Sequence, residues 1–540
     1  MRWALTALCA ALALPVLGVL AAWFAIDAAA VAVLRHQFDT VLPGYAGQSL
    51  LLAAGVGVGV IGLGSLLAAA VTLFDFPGRR LFEWALLLPL AMPAYVLAYA
   101  WTDALQFSGP VQGALRATFG WQGALWPDVR SLWAAVVLFV LCLYPYVYLL
   151  VRAALGERAV RLLEAARLLG APLSRRVLGV ALPMARPAVA AGAALALMET
   201  LSDYGVGAYF GLTTFSTGIY RAWLILNDRI AAAQLASILL LVVTALLLAE
   251  RAAQKRLRFA TSRAGGHTSE EARPVVLGGG AAVAAVVLCT LPVLLGFVLP
   301  VAWLLHLLAQ EAAQAEFGLP LARFFEWAWA SFRLAGLAAL AATALALALG
   351  FALRRPGAGG GTGALRPMAR VLSLGYAVPG AVIAVGILLP VGWLQARFPQ
   401  AGVAALFTGT LFGLVYAYLA RFSAVAMQSV EAGYARVPTS VDDTARLLGG
   451  GSRRLFFELH LPLLKRSALA AGLLVFVDVM KELPATLVLR PFGSDTLAVV
   501  AYNLARDERL AEAALPSLAI VAVGLIPVVL LSRAMRAPAA

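Results

Sequence analysis

The chain has 540 residues, 62% of them apolar and 13% charged, with a mean hydropathy of +0.90. Soluble domains hold roughly 45–50% apolar and about 25% charged residues, so a soluble cytosolic enzyme is excluded. The formal charge of +14 does not mark a nucleic-acid binder, because the basic residues lie between long apolar runs, where they fix membrane orientation.

Taken in chain order, the runs long enough to cross a hydrocarbon core as helices predict about twelve spans: 5–26, 48–73, 82–101, 132–151, 187–207, 231–249, 276–307, 331–353, 369–394, 403–420, 467–487 and 511–532. The first follows Arg2 but lacks a polar, small-residue cleavage region, and reads as a span rather than a cleaved signal. With the N-terminus inside, 28 of the 41 Lys and Arg fall in cytoplasmic segments, 11 fall outside, and Arg421 and Lys481 fall at or within spans. That asymmetry predicts cytoplasmic termini. Cys9, Cys142 and Cys289 are scattered in apolar runs, and His36, His267, His306 and His460 form no spaced pairs. Neither a disulfide framework, a zinc site nor an embedded redox enzyme is indicated.

The polar connector 251–274 divides the chain into a first half, 1–250, with its core at about 48–250, and a second half, 275–540, with its core at about 330–532. The GAGGGTG stretch at 357–363 has no preceding strand and no following Gly-Lys, so it reads as a cytoplasmic loop and not a phosphate cradle. Six spans per half is an even number, which gives both halves the same orientation, related by an axis along the membrane normal.

The halves carry an internal repeat. Glu164-Ala165-Ala166-Arg-Leu-Leu-Gly170, followed by Leu182-Pro183, recurs 279 residues later as Asp443-Thr444-Ala445-Arg-Leu-Leu-Gly449, followed by Leu461-Pro462. The same offset links Glu199 to Asp478, Asp203 to Glu482 and Thr217 to Thr496, while Pro93 and Pro379 correspond at a different offset. Residues 159–169 and 438–448 are predicted to form short amphipathic helices ended by Gly170 and Gly449, with Pro183 and Pro462 leading into the next span.

This paired pattern resembles the EAA loop of type I ABC importer permeases. The resemblance implies an all-α membrane protein in the type I ABC importer transmembrane fold. Glu164, Ala165, Ala166, Gly170 and Pro183, with Asp443, Thr444, Ala445, Gly449 and Pro462, would couple the spans to the ATPase. It further implies two copies of a cytoplasmic ABC ATPase, a periplasmic solute-binding protein, and residence in a bacterial inner membrane without nucleic acid. Of the three lysines, Lys255, Lys465 and Lys481, none follows glycine, so the chain has no phosphate-binding loop for ATP. ATP and Mg would be used by the partner, and this chain would hold no cofactor.

Glu199 lies sixteen residues past Pro183, roughly 24 Å along a helix and deep in the membrane. Glu199 with Asp203, and Asp478 with Glu482, are spaced as i, i+4 pairs on one face, and Lys481 adds a compensating charge. These five residues are candidates for the translocation path. Hard carboxylate oxygens suit a hard cation, with transient ferric contact at Glu199 and Asp478 and no resident metal site. The segments 198–223 and 477–517 resemble the fused ferric-iron permeases, which implies ferric import. Thiamine, phosphonate or another small solute remains open as cargo. An ion-coupled secondary transporter shares the span count but leaves the paired EAA loops unexplained.

Overall fold

The computed structural model describes residues 2–536 apart from 22, 24–27, 263–273, 316–317 and 355–361. Residues 263–273 of the connector and 357–361 of the glycine-rich loop therefore lie outside the described residues, as do the side chains of 156–165, including Glu164 and Ala165. The principal helices are α1 (Arg2–Ala21), α2 (Leu42–Leu73), α3 (Ala94–Leu105), α4 (Leu132–Leu168), α5 (Leu182–Ser202), α6 (Gly205–Tyr209), α7 (Arg229–Ser262) and α8 (Gly279–Val293). They continue with α9 (Leu299–Gln314), α10 (Leu321–Arg354), α11 (Gly380–Arg397), α12 (Leu411–Tyr434), α13 (Thr439–Leu447), α14 (Lys465–Lys481), α15 (Pro484–Leu489) and α16 (Leu510–Arg536). The described strands are two residues each, Phe74–Asp75 pairing in parallel with Val275–Val276.

Among the described residues ten helical segments are long and apolar enough to span a membrane, or eleven if a bent pair counts as one broken span. That pair, Arg79–Ala91 and Ala94–Phe119, meets at 89° across Met92 and Pro93, on the predicted span 82–101. The shortfall from about twelve lies at 467–487. There α14 stops at Lys481 after 17 residues and α15 restarts at Pro484, because Glu482 takes an extended conformation, φ −71° and ψ 120°.

The helices fall into two compact units. One comprises residues 1–35, 219–240 and 320–500, the other 36–218, 241–319 and 501–540. Each has a kernel of three mutually packed helices, α10, α12 and α14 in the first and α2, α4 and α5 in the second. The kernels are copies: α2 and α10, α4 and α12, and α6 and α15 begin 279 residues apart, and α5 and α14 end 279 residues apart. Outward-facing Val58 and Ile61 on α2 have outward-facing Leu337 and Leu340 as their equivalents on α10, which is apolar surface suited to lipid. Helix α1 packs on α11 within the first unit, and α9 packs on α16 within the second. The leading helix of each sequence half thus belongs to the unit holding the other half's kernel.

Apolar side chains gain little by leaving lipid for protein, so membrane helices associate through small residues that let backbones approach. On α5 the buried positions are largely small: Ala185, Ala188, Ala191, Gly192, Ala193, Ala194 and Ala196. A Cβ on Gly192 would stand 2.7 Å from the Val147 Cα and 3.0 Å from the Tyr146 carbonyl oxygen on α4. Gly192→Leu should therefore destabilise the kernel by about 1–3 kcal/mol or more, read as a lowered Tm of detergent-purified protein. Gly62→Leu, on an exposed face with nothing within 4 Å of the added Cβ, should leave Tm unchanged.

Candidate functional site: coupling loops and broken helices

The repeated Ala-x3-Gly spacing has a geometric meaning. Helix α4 ends at Leu168, Gly170 turns left-handed at φ +76°, and the Ala171 N–H donates to the Ala166 carbonyl at 2.9 Å. In the second copy α13 ends at Leu447, Gly449 has φ +79°, Gly450 N–H donates to the Ala445 carbonyl at 2.9 Å and Gly449 N–H to that of Arg446 at 2.9 Å. This is the Schellman closure, in which the residue after a left-handed C′ glycine caps the third carbonyl from the helix end. The motif alanine is thereby the acceptor, and the glycine is the residue able to take the positive φ.

The turn throws two leucines outward in each copy. Leu168 and Leu169 are 88% and 87% exposed, and Leu447 and Leu448 are 89% and 81% exposed. Side chains of this kind, adjacent to charged neighbours and paired by the repeat, form a compact apolar knob suited to a groove on a partner. Ala166 and Ala445 are half-buried behind the knobs, Asp443 and Thr444 are exposed, and Asp443 meets Arg446 at 3.4 Å on the surface. Pro183 lies in the first turn of α5, and Pro462 in the short helix Leu461–Leu463 that precedes α14.

One expectation is corrected. Residues 159–168 are the continuous end of α4 and not a separate short helix, whereas α13 is separate. The difference is at one position: Pro438, φ −59° and ψ 146°, interrupts the chain before α13, and its equivalent is Ala159. A proline biases its predecessor out of the helical region and ends the preceding helix, while alanine continues it.

The acidic pairs are also rearranged relative to the expected single face. Helix α5 ends at Ser202, and Asp203 is extended at φ −71° and ψ 132°. Its Oδ1 accepts the Val206 N–H at 2.8 Å, so it caps the restart at α6 while Glu199 stays on α5, half-buried. Glu482 does the same for α15, accepting the N–H groups of Ala485 at 2.9 Å and Thr486 at 3.0 Å and the Thr486 hydroxyl. The i, i+4 geometry fails because each helix breaks at its second carboxylate. Asp478 and Lys481 lie half-buried on the last turn of α14.

Glu482 has a further partner that the sequence did not assign. Arg421 on α12 reaches it at 3.1 Å, with side-chain exposures of 12% and 1%. A Cβ on Gly380, at the start of α11, would fall 2.7 Å from the Glu482 Oε1, so that helix is seated directly on the ion pair. The residue equivalent to Arg421 in the first half is Cys142. Arg421 at the edge of a predicted span was the available signal, since intramembrane charges pair with one another. Sequence reasoning also missed a cluster behind α13, in which Arg354 Nε donates to Asp442 Oδ2 at 2.6 Å and His460 approaches Asp442 at 3.1 Å. Among the described residues no three His, Cys, Asp or Glu side chains are placed to hold a metal.

Two observations then meet those of other proteins. Residues 60–259, which include the first coupling loop and α5, match the family described as binding-protein-dependent transport system inner membrane component. Over those residues the chain is similar to this permease family. The permease is 25% identical over 493 residues to the Fe(3+)-transport system permease protein FbpB 2 of Haemophilus influenzae, covering 90% of this chain and 89% of that one. It is 27% identical over 183 residues to a putative 2-aminoethylphosphonate transport system permease protein, PhnU, of Salmonella paratyphi A, covering 33% of this chain and 63% of that one. With a putative molybdenum transport system permease protein, YvgM, of Bacillus subtilis, identity is 26% over 197 residues, covering 35% and 85%. These relatives are permeases and not ATPases, and the apolar helices of the chain suit a multi-pass inner-membrane protein.

Removing one partner of a buried ion pair leaves a bare charge, at a cost of roughly 3–5 kcal/mol, while removing both charges together is much milder. Arg421→Met should accordingly lower the Tm of the purified permease sharply. The double variant Arg421→Met, Glu482→Gln, which keeps a side-chain acceptor at the α15 cap, should recover most of that loss.

Proposed function

We propose that the permease imports ferric iron, received from a periplasmic binding protein and driven by two copies of a cytoplasmic ABC ATPase, with both of its termini in the cytoplasm. The observation that carries the substrate is collinearity: the likeness to the ferric permease runs through both repeats of this chain, whereas the phosphonate and molybdenum permeases align with about a third of it. The excess of basic residues in cytoplasmic segments supports the orientation.

The mechanism follows from the parts. The exposed leucine pairs at 168–169 and 447–448 dock into grooves on the ATPase subunits. ATP, used with Mg by those subunits, binds one global state preferentially and so shifts the permease toward it. Each coupling loop leads, through the segment 171–181 or 450–464, to α5 or α14, whose far ends break at Asp203 and Glu482. Glu482 is occupied by Arg421 and by its capping bonds, and Glu199 and Asp478 are the carboxylates proposed to meet the passing cation. Carboxylate oxygens are the ligand type a hard trivalent ion prefers.

An oxyanion such as a phosphonate is the second reading, favoured by the partial matches to those permeases. Uptake of labelled ferric iron by iron-starved cells, with and without the permease and with phosphonate and thiamine as competitors, separates the two. Loss of high-affinity iron uptake on deletion, unaffected by the competitors, is the expected outcome, and iron uptake that persists unchanged overturns it.

Glu199→Gln with Asp478→Asn should abolish uptake while assembly with the ATPase persists in a co-purification. Leu447→Asp with Leu448→Asp should instead weaken co-purification of the ATPase by tenfold or more, since each buried leucine contributes about 1.5–3 kcal/mol.

A further inference from the structure

The two coupling loops are built from one repeat, and among the described residues the second is fastened from behind by charged groups. Arg354, the last residue of α10, donates through Nε to Asp442 Oδ2 at 2.6 Å, through Nη1 to the Tyr434 carbonyl at 3.1 Å, and through Nη2 to the carbonyls of Val437 at 2.7 Å and Pro438 at 2.8 Å. Asp442 sits in the first turn of α13 and is 4% exposed. His460, 2% exposed and at the end of the segment leading to α14, faces Asp442 Oδ1 with Nε2 at 3.1 Å and the Tyr434 hydroxyl with Nδ1 at 3.2 Å. The ends of α10 and α12, the Pro438 joint, the coupling helix and the entry to α14 therefore meet on one buried carboxylate. The equivalent positions in the first half are Asp75, Leu155, Leu163 and Ala181, none of which can reproduce the arrangement.

The contact of His460 with Asp442 is close in distance but not aligned as a hydrogen bond, and neither the Nε2 nor that Oδ1 has another hydrogen-bond partner. If the Tyr434 hydroxyl donates to Nδ1, the imidazole proton lies on Nε2, the ring nitrogen nearer Asp442. Burial holds the imidazole below its ordinary pKa, the Arg354 and Arg446 charges act in the same direction, and Asp442 opposes them.

We propose that Arg354, Asp442 and His460 are positioning residues that clasp the jointed coupling helix α13 to the span ends, so that a displacement of Leu447 and Leu448 moves α10, α12 and α14 together. The clasp does on the second side what an unbroken helix does on the first: α4 joins its own knob to its span covalently, whereas α13 lies beyond a proline and needs a tie. This rests on the ATP-coupled reading above and adds to it the residues that carry the stroke.

The test uses the whole permease, reconstituted in proteoliposomes with its ATPase and loaded binding protein, and reads ATP hydrolysed per solute imported. Hydrogen bonds to charged groups contribute about 1.5–3 kcal/mol, tenfold or more in an equilibrium. Asp442→Asn and His460→Leu should therefore raise that ratio by roughly tenfold while hydrolysis continues and the ATPase stays bound. His460→Gln, which keeps a side-chain N–H for Asp442, should stay within about twofold of the native ratio. Tyr434→Phe retains the ring and removes only the hydroxyl that sets the tautomer, and it should fall between the two even if His460→Leu fails to assemble. A native ratio in Asp442→Asn and Tyr434→Phe, or His460→Gln as impaired as His460→Leu, overturns the clasp. Absence of ATP-driven import by the native permease would instead overturn the proposed function.

Discussion

Inside a membrane a backbone N–H or C=O without a partner has no water to turn to, and that constraint governs every irregular point of this permease. The chain breaks its helices at a few defined places and supplies an acceptor or donor at each. Asp203 and Glu482 cap the restarts of α6 and α15. Tyr144 and Tyr148 on α4 donate to the carbonyls of Leu86 and Glu83, at the kink before Pro93. Trp101 donates to the Leu295 carbonyl within the π-turn that joins α8 to α9. Buried polar side chains thus serve the points where helices stop, while others, such as Gln234, Ser237 and Ser423, sit within regular helix.

The same constraint explains what was legible in the sequence. The repeat, the spans and the glycine-ended loops announce themselves through hydropathy and exact recurrence, and the structure places Gly170 and Gly449 at left-handed turns. The breaks at Asp203 and Glu482 were invisible to a count of apolar residues, since hydropathy runs on across them and an i, i+4 spacing presupposes a helix that has in fact ended. Proline gave the clearest local signal of a break, at Pro93, Pro379 and Pro438, and its absence at Ala159 is why α4 runs on. The partners of Glu482 and Asp442 come from helices distant in sequence, and no single-chain periodicity encodes them. Comparison of the two repeats would have flagged them, because Arg421 and His460 replace a cysteine and an alanine.

The kernels agree to the residue at several helix boundaries and yet differ in chemistry. One break is neutralised by an arginine, and its equivalent is capped by backbone alone among the bonds described. One coupling loop rests on a buried carboxylate shared by two basic side chains, and the other has leucine at that place. Buried ion pairs contribute little net stability compared with apolar packing of the same volume, and their best-attested use is in fixing one arrangement among several. The second kernel's charges are therefore understood as fixing geometry at the points where its chain is interrupted.

Pro438 has an evolutionary consequence as well. A transporter assembled from two copies of one short chain must place any proline, arginine or histidine in both subunits at once, and a substitution helpful to one side is imposed on the other. Here the two copies are covalently linked, and the second has a joint that the first lacks. Fusion freed each repeat to mutate alone, so a lever could become a hinge on one side without surrendering the lever on the other.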